Sequence, residues 1–430
     1  MMTIFLSFYV LFAFVLYPLQ DILHPNGIAD RLEAALPHGF HGLIAIFRNW
    51  TFTLFYVMSE LWGTAIMTVL FWGFANEVTS VEEAKRYYGI LGVGANLSTI
   101  VAGIMSVMSA NILSYEVFKK FPSLFSFNDE WGQCLATIVL IVTVFGLLSM
   151  LVFYWMNKKV FFQNYEQASL SPDPKKNIKM GLKKNFSYLA KSKYLICIAI
   201  IVIMYNISIN MIEIVWKDQM RDLFPDPTHY NAYQGKVQIV TGIISTIIAW
   251  FVCGNVIRKL GWTFSALITP ITLLLSGVIF FLFILFKETS FLTGIALLLG
   301  TTPLALTVFF GSLQNCLSRA CKFTLFDATK EVTFIPLSNE CKLKGKAAID
   351  GVGSRLGKSG GSIIHQFLLM IFGTVGASSP FVGLLLLFII GAWIVATKSL
   401  GKQFDALTES KEKIDVEAEE PASLVTEPTG

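Results

Sequence analysis

Ten runs of apolar residues, at about 1 to 20, 47 to 75, 87 to 109, 133 to 157, 194 to 216, 236 to 257, 263 to 286, 292 to 316, 349 to 375 and 380 to 398, recur along the 430-residue chain. Bilayer hydrocarbon is roughly 30 Å thick and a helix rises about 1.5 Å per residue, so a span takes about 20 apolar residues. Each run is near that length. Composition agrees: 54% of residues are hydrophobic and 14% charged, against about 25% charged in an ordinary soluble domain. The chain therefore reads as an all-α, polytopic membrane protein of about ten transmembrane helices. A soluble enzyme is nearly excluded. The net charge of +4 is modest, and no basic stretch alternates with aromatics as on a nucleic-acid surface. The first run has no basic segment before it and no small-residue cleavage site, and it ends in Tyr17-Pro18-Leu19-Gln20, so it reads as a membrane helix and not a secretory signal.

With ten spans, the connecting segments sort into two alternating sets and both termini share a side. One set (76 to 86, 158 to 193, 258 to 259, 319 to 346 and the tail) carries 23 Lys and Arg; the other carries 8, and Arg355 and Lys358 lie within a run. Positive charge marks the cytoplasmic face, so both termini are expected there, in a cell membrane and, with no transit peptide evident, a bacterial inner membrane. The longest internal connection contains Ser171-Pro172-Asp173-Pro174-Lys175-Lys176. The organisation expected is an N-terminal half of four helices (1–157), a basic cytoplasmic linker (158–193), a C-terminal half of six helices (194–403) and a disordered acidic tail (404–430). Transporters built of two six-helix halves carry such a linker at their midpoint, and a 4 + 6 count is two N-terminal helices short of that plan.

Ionisable groups within a membrane helix cost at least ~2.5 kcal/mol on insertion scales, so they face a partner or a cavity. On the second run Asn49, Thr53, Tyr56, Glu60, Thr64 and Thr68 recur every three or four residues and form one polar face; Glu60 is either part of a functional site or a structural hydrogen-bond partner between helices. The fifth run repeats the pattern with Asn206, Asn210, Glu213 and Lys217. Glu213 is buried at a site, or lies in interfacial water beside Trp216 read as an aromatic-belt residue. On the ninth run Arg355, Lys358, Ser362 and His365 share a helical face. Two cations on one buried face repel each other, and an anionic ligand accounts for them better than packing does; His365 alone reads as a hydrogen-bonded histidine. In Gly92-Val93-Gly94-Ala95-Asn96, the small residues read as helix packing, and Asn96 is as consistent with packing as with lining a cavity.

Gly357-Lys358-Ser359 is not a phosphate-binding loop, because position 352 is Val where that motif needs glycine and no strand precedes it. The six cysteines lack metal-site spacing and read as free thiols. No nucleophile with a base, and no metal cluster, falls within a span, so neither an enzyme, a metal site nor a cofactor is expected.

Ser59-Glu60-Leu61-Trp62-Gly63, Phe71-Trp72-Gly73-Phe74-Ala75-Asn76-Glu77, Gly92-Val93-Gly94-Ala95-Asn96, Glu213-Ile214-Val215-Trp216-Lys217, Phe326-Asp327-Ala328-Thr329-Lys330-Glu331, Lys344-Gly345-Lys346-Ala347-Ala348-Ile349-Asp350 and Gly357-Lys358-Ser359-Gly360-Gly361 closely resemble segments of the ATP/ADP translocases of obligate intracellular bacteria and plastids. The likeness covers about 16 to 403. It implies a twelve-helix, major-facilitator-type fold entered here at its third helix, so lacking the first two and the lysine that the family carries on the first. It also implies functional roles for Glu60, Glu213 and Lys358.

The resemblance implies exchange of ATP for ADP across a lipid bilayer by alternating access, with the nucleotides as substrates and a monomer expected. Lys358 and Arg355 are the candidates for the phosphates, a point charge and a planar fork. Glu60 and Glu213 are expected to neutralise those cations in the empty cavity until nucleotide displaces them, with Asn96 and Asn210 as further lining residues and Tyr56, Tyr205 or Trp62 as candidates to stack on adenine. Proton-coupled import of other nucleotides, NAD/ADP exchange and a non-transporting remnant remain open.

Overall fold

The computed structural model describes all residues except 72–73, 76–80, 112–128, 159–191, 338–344, 347 and 424–430, and leaves aside the side chains at 38, 64, 67–69, 81–90, 92, 250–258 and 410–423. The expected linker thus lies almost wholly outside the described residues. Among those described there is helix and no strand. The helices are α1 (Met2–Leu11), α2 (Asn26–Ala35), α3 (His41–Arg48), α4 (Trp50–Trp62), α5 (Val81–Ala110), α6 (Glu130–Met156), α7 (Lys193–Leu223), α8 (Pro227–Leu260), α9 (Trp262–Leu285), α10 (Ser290–Leu298), α11 (Pro303–Cys321), α12 (Asp327–Thr333), α13 (Ser354–Phe372) and α14 (Val375–Ser423). Every one of the ten apolar runs overlaps a helix.

By length and hydropathy five of the described stretches suffice to cross a bilayer: Val93–Ala110, Glu130–Met156, Lys193–Leu223, Trp262–Leu285 and Val375–Glu409. The expected count of ten is not reached on that measure. The other runs are short, as at Met2–Leu16, or interrupted by π-helical turns, as at Gly63–Phe71, or carry charge, as at Arg355 and Lys358, or lie partly outside the described side chains, as at 236 to 257. The run at 292 to 316 is bent by 81° between α10 and α11, a sixth span if the pair is one. The break has a local cause: Gly300 sits at φ +66, a conformation other residues adopt at a cost. Thr302 caps α11 by accepting the Ala305 amide at 3.2 Å, and Pro303, with no N–H to place, fills the first turn.

Two sequence boundaries move. The segment 319 to 346, expected as a loop, is helical to Thr333, because α11 runs on through a π-helical stretch, Lys322–Phe326, into α12. The tail expected to be disordered from 404 continues α14 to Ser423; from Lys402 to Glu420 it contains neither Gly nor Pro, and its Ala, Leu, Glu and Lys are strong helix formers.

The chain divides into two compact units. The first comprises Met1–Ile178 with Phe224–Ile239. Its core is aromatic: Phe12 stacks on Phe55 with ring centroids 4.3 Å apart, and Phe5 meets Trp62 edge to face. Tyr17 donates to Asp129 at 2.5 Å, and Asp129 in turn caps α6 by accepting the Gly132 amide. Helix α5 meets the start of α8 through glycine on both sides. A Cβ on Gly103 would lie 2.6 Å from the Gly235 carbonyl oxygen, and one on Gly235 2.8 Å from that of Gly103. Asn231 and Ser106 hydrogen-bond beside this contact at 3.0 Å.

The second unit comprises Lys179–Leu223 and Val240–Gly430. Its core is built on Tyr205, which stacks on Phe326 at 4.3 Å while Trp393 stands edge-on to both rings. Two buried donors fasten α12 into it: Tyr194 to the Thr333 carbonyl at 2.7 Å and Trp262 to that of Thr329 at 2.9 Å. The described cysteines, 134, 197, 316 and 321, are free thiols; the side chains of Cys253 and Cys341 lie outside the description.

Because the α5–α8 contact leaves no room for a side chain, Gly103→Leu is expected to destabilise the protein by about 1–3 kcal/mol, as overpacked sites do. Gly94→Ala on the same helix, with nothing within 4 Å of the added carbon, is expected to leave stability unchanged. Thermal unfolding in detergent measures both.

Candidate functional site

Helices α7 and α13 approach through glycine. A Cβ on Gly357 would lie 2.8 Å from the Ile203 carbonyl oxygen, and one on Gly361 2.9 Å from Asn210 Oδ1. The backbone that carries Lys358, between those glycines, is thereby held close to α7 at Ile203, Asn206 and Asn210. Ser362, one turn further along α13, donates to Asn210 Oδ1 at 3.2 Å. The face expected on this helix separates in two. Arg355, Lys358 and Ser362 are exposed, whereas His365 is buried, with no partner among the described residues for either ring nitrogen. The small rotation between positions 358 and 365 carries the histidine into the packing, so it is neither the hydrogen-bonded histidine expected nor part of the exposed cationic face.

Glu213 is the centre of the site. Its Oε1 accepts Lys217 Nζ at 2.9 Å, one helical turn away, and Arg319 Nη2 at 3.2 Å from α11. Its side chain is 22% exposed and that of Arg319 33%, so the pair is open to water without being surface charge. Lys358 lies within electrostatic reach of Glu213. Trp216, on which the interfacial reading of Glu213 leaned, is not a belt residue: it is 1% exposed and donates to Ser312 Oγ at 3.1 Å. Gly311 makes room for that indole: a Cβ there would lie 2.5 Å from Trp216 Cδ1.

Sequence reasoning missed the partner supplied by α11. Arg319, Lys322, Asp327 and Lys330 were assigned to a loop, yet they lie on the α11–π–α12 rod. Lys322 feels Asp327, Lys358 and Arg319, and Lys330 is joined to Asp350 at 2.7 Å with its side chain 14% exposed. Beside it Lys346 pairs with Glu331 at 2.5 Å. The signal available in the sequence was the motif Phe326-Asp327-Ala328-Thr329-Lys330-Glu331, whose three- and four-residue spacing aligns Asp327 with Lys330 and Glu331 on one helical face. Four of the motifs singled out above meet three π-helical stretches, at Gly63–Phe71, Lys322–Phe326 and Ile349–Gly353. Such stretches inside α-helices occur frequently at functional sites.

The remaining candidates lie elsewhere. Glu60, in the first unit, is exposed near the end of α4, and its polar face is cut short at Trp62 by the change to π-helix. Thr64 and Thr68 are outside the described side chains. Asn96 is 9% exposed on α5, its side chain turned into packing while Val93, Gly94, Ala95 and Leu97 are exposed. Of the three proposed adenine platforms, Tyr205 is excluded, because Phe326 and Trp393 already occupy its faces and edge. Trp62 packs on Phe5 and Tyr9, and Tyr56 is 64% exposed.

A helical, multi-pass membrane chain that keeps paired charges on packed spans is of the kind that moves polar solutes across bilayers. Residues 1–404 match the TLC ATP/ADP transporter family, and the chain belongs to it. It is a transporter and not an enzyme. It is 44% identical over 426 residues to ADP,ATP carrier protein 1 of Chlamydia pneumoniae, covering 98% of this chain and 81% of that one. It is 43% identical to ADP,ATP carrier protein 1 of Chlamydia trachomatis serovar D, over 96% and 77%. It is 40% identical to ADP,ATP carrier protein 1, chloroplastic, of Arabidopsis thaliana, over 98% and 65%. No solved structure matches.

Lys330 and Asp350 join α12 to the π-helical entry of α13. Asp350→Asn is expected to cost about 1–3 kcal/mol, the range for a hydrogen bond to a charged group left with an unanswered partner. Unfolding midpoints of the wild type and of this variant check it.

Proposed function

We propose that the protein exchanges ATP for ADP across a cell membrane by alternating access. The observation that carries this reading is the cationic site on packed spans, with Lys358 held by glycine contacts beside Glu213 and its two basic partners, in a chain over 40% identical to ADP,ATP carriers. ATP and ADP bear nearly four and nearly three negative charges at neutral pH. A site for both needs positive charge that is neutralised when the site is empty and exposed when it is filled. Lys358 meets the phosphates, Arg355 flanks it on the same exposed face, and Glu213 is the internal counter-ion that nucleotide displaces. Glu60 acts in its own unit as a second gating acid, and Asn210 positions α13 through Ser362.

The finer architecture follows the same reading: ten spans in a major-facilitator-type arrangement, a cytoplasmic linker at 158–193, both termini cytoplasmic, a bacterial inner membrane and a monomeric carrier without a cofactor. Arg319, Lys322 and Lys330, counted toward the cytoplasmic face, lie on the rod of α11 and α12, yet the excess over the opposite face persists without them. Exchanging one ATP for one ADP moves about one charge, which a membrane potential biases by ~2.3 kcal/mol per 100 mV. No hydrolysis is needed.

Proteoliposomes preloaded with ADP are expected to take up labelled ATP, with and without a proton uncoupler. Lys358→Ala is expected to abolish uptake while the protein still inserts. Uptake that collapses with the proton gradient supports proton symport instead, and uptake of NAD against ADP supports the dinucleotide exchange. Uptake unchanged in Lys358→Ala removes this lysine from the site.

A further inference from the structure

Resting on the transport reading, we propose that the terminal phosphates of the nucleotide are gripped by Arg319, with Lys322 one turn along the same rod.

Several basic groups gather around Glu213: Lys217 and Arg319 pair with it, Lys358 lies within its electrostatic reach, and Lys322 feels Arg319 and Lys358 beside Asp327. A gathering of cations on several helices suits a di- or triphosphate, with charge spread over many oxygens, better than a monoanion.

The contact between Arg319 and Glu213 has the form of a holding position. It runs from one guanidinium nitrogen to one carboxylate oxygen that Lys217 already shares, whereas arginine satisfies an oxyanion best through two parallel bonds. A phosphate offers that two-point geometry and Glu213, as placed, does not. Arg319 is also accessible, with a third of its side chain exposed. The π-helical stretch begins at Lys322, immediately after α11 ends, three residues from Arg319 and therefore on the same side of the rod; Lys322 also feels Lys358. Phosphate arriving at this cluster takes over the guanidinium and leaves Glu213 with Lys217 alone.

The test uses the purified full chain, measuring affinity for ATP and for AMP by calorimetry in detergent, and the KM for ATP in ADP-loaded proteoliposomes. Arg319→Gln is expected to weaken ATP binding and raise its KM by about tenfold or more, the scale of a lost charge-assisted contact, while AMP affinity changes little. Arg319→Lys, keeping charge without the fork, is expected to fall between. If Arg319 served only to neutralise Glu213, the double variant Glu213→Gln with Arg319→Gln would regain wild-type ATP affinity, and that result overturns the proposal; the proposal requires the double variant to stay impaired for ATP over AMP. The double variant leaves no unanswered charge in the pair, so it carries the test where Arg319→Gln alone does not fold. A wild-type chain that exchanges ATP for ADP, with Arg319→Gln binding ATP as wild type does, overturns Arg319 and leaves the transport reading standing. A wild-type chain that neither binds nor exchanges these nucleotides overturns both.

Discussion

Charge held within a membrane helix has to be answered locally, because neither lipid nor a packed apolar interior solvates it. In the second unit that constraint is met at Glu213, whose single oxygen Oε1 serves Lys217 on its own helix and Arg319 on another. The pair joins α7 to α11, and the Lys330–Asp350 pair joins the continuation of α11 to the entry of α13. Removing one member of such a pair is costly, since the other is left desolvated and alone. A ligand that brings its own charge can take that member's place, and this makes the same contacts suitable both for holding helices together and for letting them part.

The pairing depends on close backbone approach, which glycine supplies. Gly357 and Gly361 seat α13 on α7, and Gly311 admits the Trp216 indole between α7 and α11. Between helices in lipid there is little hydrophobic gain to be had, so contact area and hydrogen bonds carry the association. Gly357-Lys358-Ser359-Gly360-Gly361 therefore does mechanical work first: its glycines bury, and the lysine between them is left exposed beside α7. A loop-type phosphate motif would need backbone amides released from helix, and here the segment is helical throughout.

The apolar runs were legible because their spacing and length are fixed by bilayer thickness, and each coincides with helix. The acid at Glu213 was legible for a related reason, being a charge where none is expected. Arg319 was not, because reading spans by hydropathy ends a helix at the first cluster of charges. Arg319, Lys322, Asp327 and Lys330 looked like the start of a loop, yet they pair along and across the rod and the helix continues. Trp216 and Tyr205 were misplaced in the opposite sense. An aromatic near a span end reads as a belt residue or a stacking platform, but both rings are filled on all sides, Trp216 by α11 and Tyr205 by Phe326 and Trp393.

Helical class and the presence of buried charge follow from which residues can sit in lipid, a property each segment carries by itself. Partnership does not. Which acid answers which base, which glycine is crowded and which is open, and which face of α13 turns inward are relations between segments distant in the chain. Residues 213 and 319 are separated by two intervening long helices and a broken one, and only the packed fold sets their charges side by side.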